Sequence, residues 1–232
     1  MAPMTPEDIV RLSWPSLHQT PREPTGRFYP SNLVNGCLFA CYHDALKTPG
    51  LKEDRTFESN GMMDVGKYIH EQVQHGMAKH YDMVGWTYSP ELRIQFSSHC
   101  SGRCDADVHG PQEHHEVHEY KTCSKSVFDS LGKTPLEKHE DQLQLYMSRT
   151  NATLGYLLYI CRNDFSTRQY RVPYSPDRAK KMWTMLLKVE DAITRGVPPE
   201  TKKHWFGTSP CTSSCRFRGI CPEVMNPTTR KL

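Results

Sequence analysis

The sequence predicts an α/β fold in which a mixed central sheet is flanked by helices. Two patterns carry this prediction. Short stretches with alternating apolar and polar residues are typical of half-buried strands, and longer stretches with apolar residues every three or four positions are typical of amphipathic helices. Both patterns occur within residues 61–200 of the 232-residue chain, which is long enough for one well-packed core. We therefore expect a single domain.

The first predicted element is a helix over residues 61–83. Its apolar residues lie at helical spacing and are expected to form one buried stripe: Met62, Val65, Ile69, Val73 and Met77. Alternation then predicts three strands in a meander, over residues 91–96, 103–108 and 116–121.

The second half of the core continues with both kinds of element. These are a helix at 136–149, strands at 154–161 and 167–172, and a helix at 176–195. Gly196 is expected to end the last helix. The ends of the chain, residues 1–30 and 222–232, are rich in Pro, Thr and Arg and are predicted to pack loosely.

Composition sets broad limits on function. A net charge of +3 and a pI near 8.3 permit nucleic-acid binding without requiring it. No apolar run approaches the roughly 20 residues that cross a bilayer, and the first 25 residues do not resemble a secretory signal, so we expect a soluble cytoplasmic protein with no membrane partner. Nine cysteines, an odd number, then favour reduced thiols and metal binding over disulfides.

The sharpest local pattern is Gly102-Arg103-Cys104-Asp105, followed fourteen residues after the aspartate by Glu119-Tyr120-Lys121. Glu119 and Lys121 are two apart on a predicted strand, so their side chains leave the same face, and a neighbouring strand can bring Asp105 beside them. Two carboxylates suit Mg²⁺ or Mn²⁺, and a lysine beside them can orient water for phosphodiester hydrolysis. A solvated strand face with ordinary ion pairs is the alternative.

The ordered set of motifs resembles the RecB-like PD-(D/E)XK nucleases. Four stretches carry the resemblance, in the family's order: the histidine-bearing helix at 66–71, the aspartate motif at 102–105, the E-x-K motif at 119–121 and the Q-x-x-x-Y motif at 142–146. The resemblance implies a nuclease core over residues 61–200, with a mixed sheet flanked by helices. The flanking parts are an N-terminal segment (1–30), a region with the first cluster cysteine (31–60) and a cysteine-rich tail (201–232).

The resemblance also implies roles for individual residues. Mg²⁺ or Mn²⁺ would be held by His70, Asp105, Glu119 and the carbonyl of Tyr120, with Lys121, Gln142 and Tyr146 completing the catalytic set. Asp107 shares its predicted strand face with Asp105, and the Gly-x-x-Asp spacing favours Asp105 as the ligand. Glu91 resembles a secondary acidic position before the first strand.

Three late cysteines, Cys211, Cys215 and Cys221, stand close together, the last before a proline, which predicts a metal site. The motifs are similar to those of iron–sulfur members of the nuclease family, including the CRISPR-adaptation exonuclease and related phage exonucleases. This resemblance implies a [4Fe-4S] cluster with Cys37 as fourth ligand, Cys41 as its rival, and a clasp from the tail to the N-terminal region. Zinc is the alternative, because three residues rather than two separate the first pair of late cysteines.

The resulting expectation is a metal-dependent DNA exonuclease acting on single-stranded or end-bearing DNA. A structure-selective endonuclease is one alternative, and a non-catalytic DNA-binding subunit of a recombination or repair assembly is another. The expected partners are DNA and proteins of recombination, repair or phage replication, in the cytoplasm or in the host cytoplasm if the protein is viral.

Overall fold

A five-stranded mixed sheet forms the centre of the molecule. The structure, a computed structural model, describes residues 25–35, 37–51, 57–200 and 215–225. The strands lie side by side in chain order: β1 Thr87–Gln95, β2 Ser101–His109, β3 His115–Cys123, β4 Leu154–Cys161 and β5 Thr167–Pro173. Only β3 and β4 are parallel, and the other neighbours are antiparallel. The predicted α/β class, mixed sheet and three-strand meander are confirmed.

Seven helices surround the sheet within the described parts of the chain: α1 Pro30–Leu33, α2 Leu38–Ala45, α3 Phe57–Met83, α4 Lys125–Ser130, α5 Glu137–Thr150, α6 Pro176–Arg195 and α7 Pro222–Met225. The three long helices α3, α5 and α6 were predicted, and the four short ones were not. Helix α6 begins where the Ser175 side chain accepts from the Arg178 N–H and ends at Gly196, at φ 66°. None of the described helices combines the length and apolarity that crossing a bilayer requires.

Helices α4 and α5 supply the crossover that the parallel pair β3–β4 requires. Helix α5 packs on β3, β4 and α6, while α3 contacts β1 and β3. The approach of α5 to β4 is close, since a Cβ placed on Gly155 would lie 2.7 Å from Leu143 Cδ2. Glycine at this position therefore lets α5 settle onto the sheet.

Helix α3 does not bury the predicted apolar stripe. Of the five residues, only Ile69 is buried, whereas the side chains of Met62 and Val65 are 52% and 38% exposed. The helix instead contacts the sheet through polar side chains at helical spacing, His70, Gln74 and Tyr81, which bond to groups on β1, β2 and β3. Periodicity of apolar residues could not reveal this, because polar groups make the contact.

The prediction that residues 1–30 pack loosely is wrong for the described part of that range. The Phe28 side chain is fully buried, its N–H donates to the His99 carbonyl at 2.9 Å, and its carbonyl accepts from the Ser101 N–H. One large aromatic residue thus anchors the segment before α1 on the start of β2, and burial of a phenylalanine outweighs the prolines around it.

The tail returns to the N-terminal region. The Phe217 side chain is buried and its ring lies 5.4 Å from that of His43, between centroids. The Leu51 N–H donates to the Arg216 carbonyl at 2.7 Å, and the Arg216 guanidinium forms an ion pair with Asp44. Residues 215–218 therefore dock on α2 and the segment that follows it.

Candidate active site

Asp105 and Glu119 lie where strands β2 and β3 separate. The pairing of β2 with β3 extends from the His109–His115 pair to the Ala106–His118 pair. Asp105 and Glu119 are the next residues along the two strands. In this opening Asp105 Oδ2 accepts a 2.6 Å hydrogen bond from the backbone N–H of Tyr120. The aspartate is thereby fixed against the strand that carries the E-x-K motif.

His70 joins this pair from helix α3. Its Nδ1 lies 3.2 Å from Asp105 Oδ1. Burial disfavours the charged imidazole, but the hydrogen bond to Asp105 and the negative charges of Asp105 and Glu119 outweigh it, so the pKa of His70 is raised. His70, Asp105 and Glu119 therefore interact as one electrostatic group.

Lys121 and Gln142 complete the contacts of Glu119. Lys121 Nζ donates to Glu119 Oε1 at 2.7 Å and to Gln142 Oε1 at 3.0 Å. Gln142 Nε2 donates to the same Glu119 oxygen at 2.8 Å and to the Tyr146 hydroxyl at 3.4 Å. Because Gln142 and Tyr146 are one turn apart on α5, they reach the site together. The lysine ammonium is held from two sides.

The second oxygen of Glu119 carries the most information about the site. Glu119 is 4% exposed, and within the described residues its Oε2 atom is buried with no hydrogen-bond partner. Burial raises the pKa of this carboxyl, with a further contribution from Asp105, while Lys121 and His70 oppose the shift. A buried carboxylate oxygen without a donor, beside a second carboxylate and an imidazole, fits a divalent cation as its partner.

The structure also places the residues that sequence reasoning left as secondary. Asp107, the rival of Asp105, points to His109 and His115 instead of His70. Glu91, at φ 54°, lies at the rim, where it accepts from Gln74 and pairs with Arg103. Tyr120 contributes its N–H to Asp105, and ligation through its carbonyl stays a prediction.

Two polar residues near the site were missed. Gln74 Nε2 donates to the Asp105 carbonyl at 3.3 Å as well as to Glu91, and its position four residues after His70 was a usable signal. His139 precedes Gln142 by about one turn, and its Nδ1 lies 2.8 Å from the Tyr159 hydroxyl. Burial, followed by the charges of Lys121 and Lys138, lowers the pKa of His139 to about 3, so its imidazole is neutral.

The cysteines separate into buried and accessible ones. Cys41 is fully buried in the core, and burial raises its pKa, with neighbouring Cys37 and Cys100 adding to the shift. Cys37, at the start of α2, and Cys215 and Cys221 in the tail are partly exposed. Cys211 lies outside the described residues. The docking of the tail on the α2 region brings both cysteine-bearing segments to the same part of the molecule.

Comparison with known proteins shows a likeness of fold. No protein-family model matches the sequence, and a search of curated proteins gives no significant match. The solved structure of SSO0001 is similar over 89% of each chain, at 19% identity and a TM-score of 0.54. The alkaline exonuclease LHK-Exo from Laribacter hongkongensis gives a TM-score of 0.42 at 12% identity over 73% of this chain and 91% of that one. Its complex with dAMP gives 0.49 at 13% identity, over 74% and 92%.

Proposed function

We propose that this protein is a metal-dependent nuclease that hydrolyses phosphodiester bonds in DNA. The observation that carries the proposal is the buried Glu119 Oε2 atom without a hydrogen-bond donor in the described structure, set beside Asp105 and His70. Leaving a buried polar oxygen unsatisfied costs stability, and enzymes retain such groups where a ligand supplies the missing interaction. The nearby lysine distinguishes this arrangement from a purely structural cation site.

The ligands would be the side chains of His70, Asp105 and Glu119, with the Tyr120 carbonyl. When bound, Mg²⁺ or Mn²⁺ supplies Lewis-acid polarisation of the scissile phosphate. Oxygen donors from two strands suit Mg²⁺, and the added imidazole is acceptable to Mn²⁺.

Lys121 is the residue that would orient the attacking water. Its ammonium donates to Glu119 and Gln142, and these contacts fix its direction. Gln142 is in turn bonded to the hydroxyl of the buried Tyr146 side chain, which holds the amide in place. Positioning by groups whose own side chains are held in place is what lowers a hydrolytic barrier.

Two cationic side chains outside this cluster, Lys125 and Arg149, are engaged elsewhere. Lys125 forms ion pairs with Asp129 and Asp164, and Arg149 donates to the Gln95 carbonyl. We therefore assign the chemistry to the cluster around Glu119. The resemblance of the motifs to exonucleases is the basis on which we propose single-stranded or end-bearing DNA as the substrate.

Digestion of matched linear and circular single-stranded DNA tests the proposal. The full chain with Mg²⁺ or Mn²⁺ should degrade end-labelled linear DNA and leave circles intact. Cutting of circles would identify an endonuclease, and binding without cutting would identify a non-catalytic DNA-binding subunit.

Asp105→Ala, Glu119→Ala and Lys121→Ala should each abolish cleavage while DNA binding persists, because each removes a group needed at the transition state. Lys188→Ala, at an exposed position on α6, is the matched control and should cleave normally.

We also propose that Cys37, Cys211, Cys215 and Cys221 hold a [4Fe-4S] cluster that fastens the tail to the α2 region. Three of these thiols are in the described residues and partly exposed, whereas Cys41 is enclosed in the apolar core, which favours Cys37 as the early ligand. Protein purified without oxygen should be brown, with iron and sulfide near four per chain. Cys37→Ser should lose the colour and Cys41→Ser should keep it. A colourless protein with one zinc would establish the zinc alternative.

A further inference from the structure

A second cluster of metal-binding side chains lies at the end of the β2–β3 hairpin, and we call it the hairpin cluster. It consists of Asp107, His109 and His115, which offer one ligand atom each within 4.8 Å of one another. His109 ends β2 and His115 begins β3, and the two are direct cross-strand partners. Asp107 is two residues before His109, so its side chain leaves the same face of β2. None of these residues belongs to the proposed catalytic set.

Both imidazoles converge on one carboxylate. His109 Nε2 lies 2.8 Å from Asp107 Oδ2, and His115 Nε2 lies 2.7 Å from Asp107 Oδ1. The two rings are stacked, with centroids 4.1 Å apart and planes 21° from parallel. Because both Nε2 atoms contact the same carboxylate, potential ligand atoms of two chemical types lie close together.

The turn holds the two histidines in this arrangement. The Gly110 N–H donates to the His114 carbonyl at 2.8 Å, and the His114 N–H donates to the Pro111 carbonyl at 3.1 Å. Gln112 and Glu113 both adopt left-handed backbone conformations, with φ 55° and 59°, which close the loop tightly. A hairpin closed in this way presents its first and last strand residues as a fixed pair.

We propose that the hairpin cluster binds a divalent transition metal ion of the Zn²⁺ type, with water in the fourth position. Two imidazoles and one carboxylate are ligands that Zn²⁺ accepts, and the two nitrogen donors make this set softer than the all-oxygen set that Mg²⁺ prefers. Exposure of the site supports the water ligand, since the side chain of His109 is 50% exposed while that of Asp107 is 10% exposed.

The observed distances leave a small adjustment for the ion. Ligand atoms about 2.0–2.1 Å from a tetrahedral ion are about 3.3 Å apart, so the Nε2–oxygen separations need to grow by roughly half an ångström. Both imidazoles have to move away from the carboxylate by this amount, and the side chains of His109 and His115 are 50% and 16% exposed. A bound ion would then cross-link β2 to β3 at the end of the hairpin opposite the separation of the two strands.

Zinc titration of the full chain by calorimetry tests the proposal, with His109→Gln as the variant and His75→Gln, an exposed histidine on α3, as the matched control. Wild-type protein and His75→Gln should bind one more equivalent of Zn²⁺ than His109→Gln, or bind it at least about tenfold more tightly. Zinc should raise their melting temperature more than that of the variant. Equal stoichiometry, affinity and melting shift in all three proteins would overturn the proposal. The hairpin cluster would then be only a carboxylate hydrogen-bonded to two histidines.

Cobalt separates this site from the cysteines. Co²⁺ bound by the hairpin cluster should give ligand-field absorption that His109→Gln and Asp107→Asn both remove, whereas thiolate-bound Co²⁺ would also show sulfur-to-metal charge transfer. If the bands lost in these variants were thiolate bands, the assignment to the hairpin cluster would be wrong. The Asp107→Asn protein, compared with wild type by circular dichroism, shows whether loss of metal accompanies loss of fold. Equal binding of Mg²⁺ at the same concentration would contradict the transition-metal assignment.

Discussion

His70 Nδ1 and Asp105 Oδ1 lie 3.2 Å apart, and this contact links helix α3 to strand β2 across 35 residues of sequence. It does more than attach a helix, because Asp105 is also fixed by the Tyr120 N–H and His70 also interacts with the charge of Glu119. The helix thus brings one imidazole nitrogen to a place where two strands bring two carboxylates.

Removal of the His70 imidazole should raise the metal concentration that DNA cleavage requires. His70→Ala is expected to increase the Mg²⁺ or Mn²⁺ concentration needed for half-maximal DNA cleavage by at least about tenfold, because one direct contact to the ion is lost. The measurement is a metal titration of cleavage rate at fixed DNA concentration. His75→Ala, on the exposed side of the same helix, should keep the wild-type requirement. An unchanged requirement in His70→Ala would remove the residue from the ligand set.

Two glutamines on α5 provide an internal contrast. Gln142 bonds to Lys121 and Glu119, whereas Gln144 accepts from the Ser175 N–H at 2.7 Å and donates to the Pro173 carbonyl at 2.9 Å. Gln142→Ala should lower kcat by about 10–100-fold with little change in KM, since it releases the lysine. Gln144→Ala should cost about 1–3 kcal/mol of stability, because it removes a fully buried side chain together with its two hydrogen bonds to the backbone.

Urea unfolding and steady-state kinetics on both glutamine variants check this contrast. If Gln142→Ala were fully active and as destabilised as Gln144→Ala, Gln142 would be a structural residue of the α5 interface.

Much of the fold follows from residue periodicity. Alternating apolar residues predict β2 and β3, and the apolar run over residues 154–161 predicts β4. The short connections between consecutive strands then largely determine which strands are neighbours. Helix α3 shows where periodicity fails, because its contacts with the sheet are made by His70, Gln74 and Tyr81. Short helices such as α2 were missed because eight residues carry too little pattern to separate a helix from a loop.

Part of the candidate site could be predicted from the sequence for a different reason. Glu119 and Lys121 are near neighbours in sequence, so strand geometry alone places them together. Strand periodicity leaves Asp105 and Asp107 on the same face of β2, and only the Gly-x-x-Asp spacing of the resemblance favoured Asp105. The position of α3 agrees with that choice, because His70 contacts Asp105 whereas the hairpin histidines contact Asp107.

Gly102 of the Gly-x-x-Asp motif should be intolerant of any side chain. A Cβ there would lie 2.8 Å from the Tyr146 hydroxyl oxygen and 2.9 Å from Pro30 Cδ, and the proline ring cannot move aside easily. Gly102→Ala is expected to cost about 1–3 kcal/mol of stability and to lower cleavage by displacing Tyr146. Gly76→Ala, in open space on α3, should be neutral or should stabilise by up to about 1 kcal/mol. Thermal melts and cleavage assays of the two variants measure the difference.

Glu116 should make folding stability depend on acid pH. Its carboxylate is 4% exposed and accepts from the Tyr81 hydroxyl, while His114 Nε2 and His118 Nε2 each lie 2.8 Å from one of its oxygens. Burial opposes ionisation, but these hydrogen bonds and the charge of His118 outweigh it and lower the pKa of Glu116 from 4.5 to about 2.

Because the folded-state pKa lies below the unfolded one, the unfolded chain binds the proton more readily. The stability that Glu116 contributes is therefore complete above about pH 4.5 and is lost as the pH falls towards 2. Urea unfolding of wild type and Glu116→Gln across this window should give free energies of unfolding that differ near neutral pH and converge in acid. Glu113→Gln, in the turn just before β3, should follow the wild-type curve. Parallel curves for wild type and Glu116→Gln would mean that the buried carboxyl does not titrate in this range.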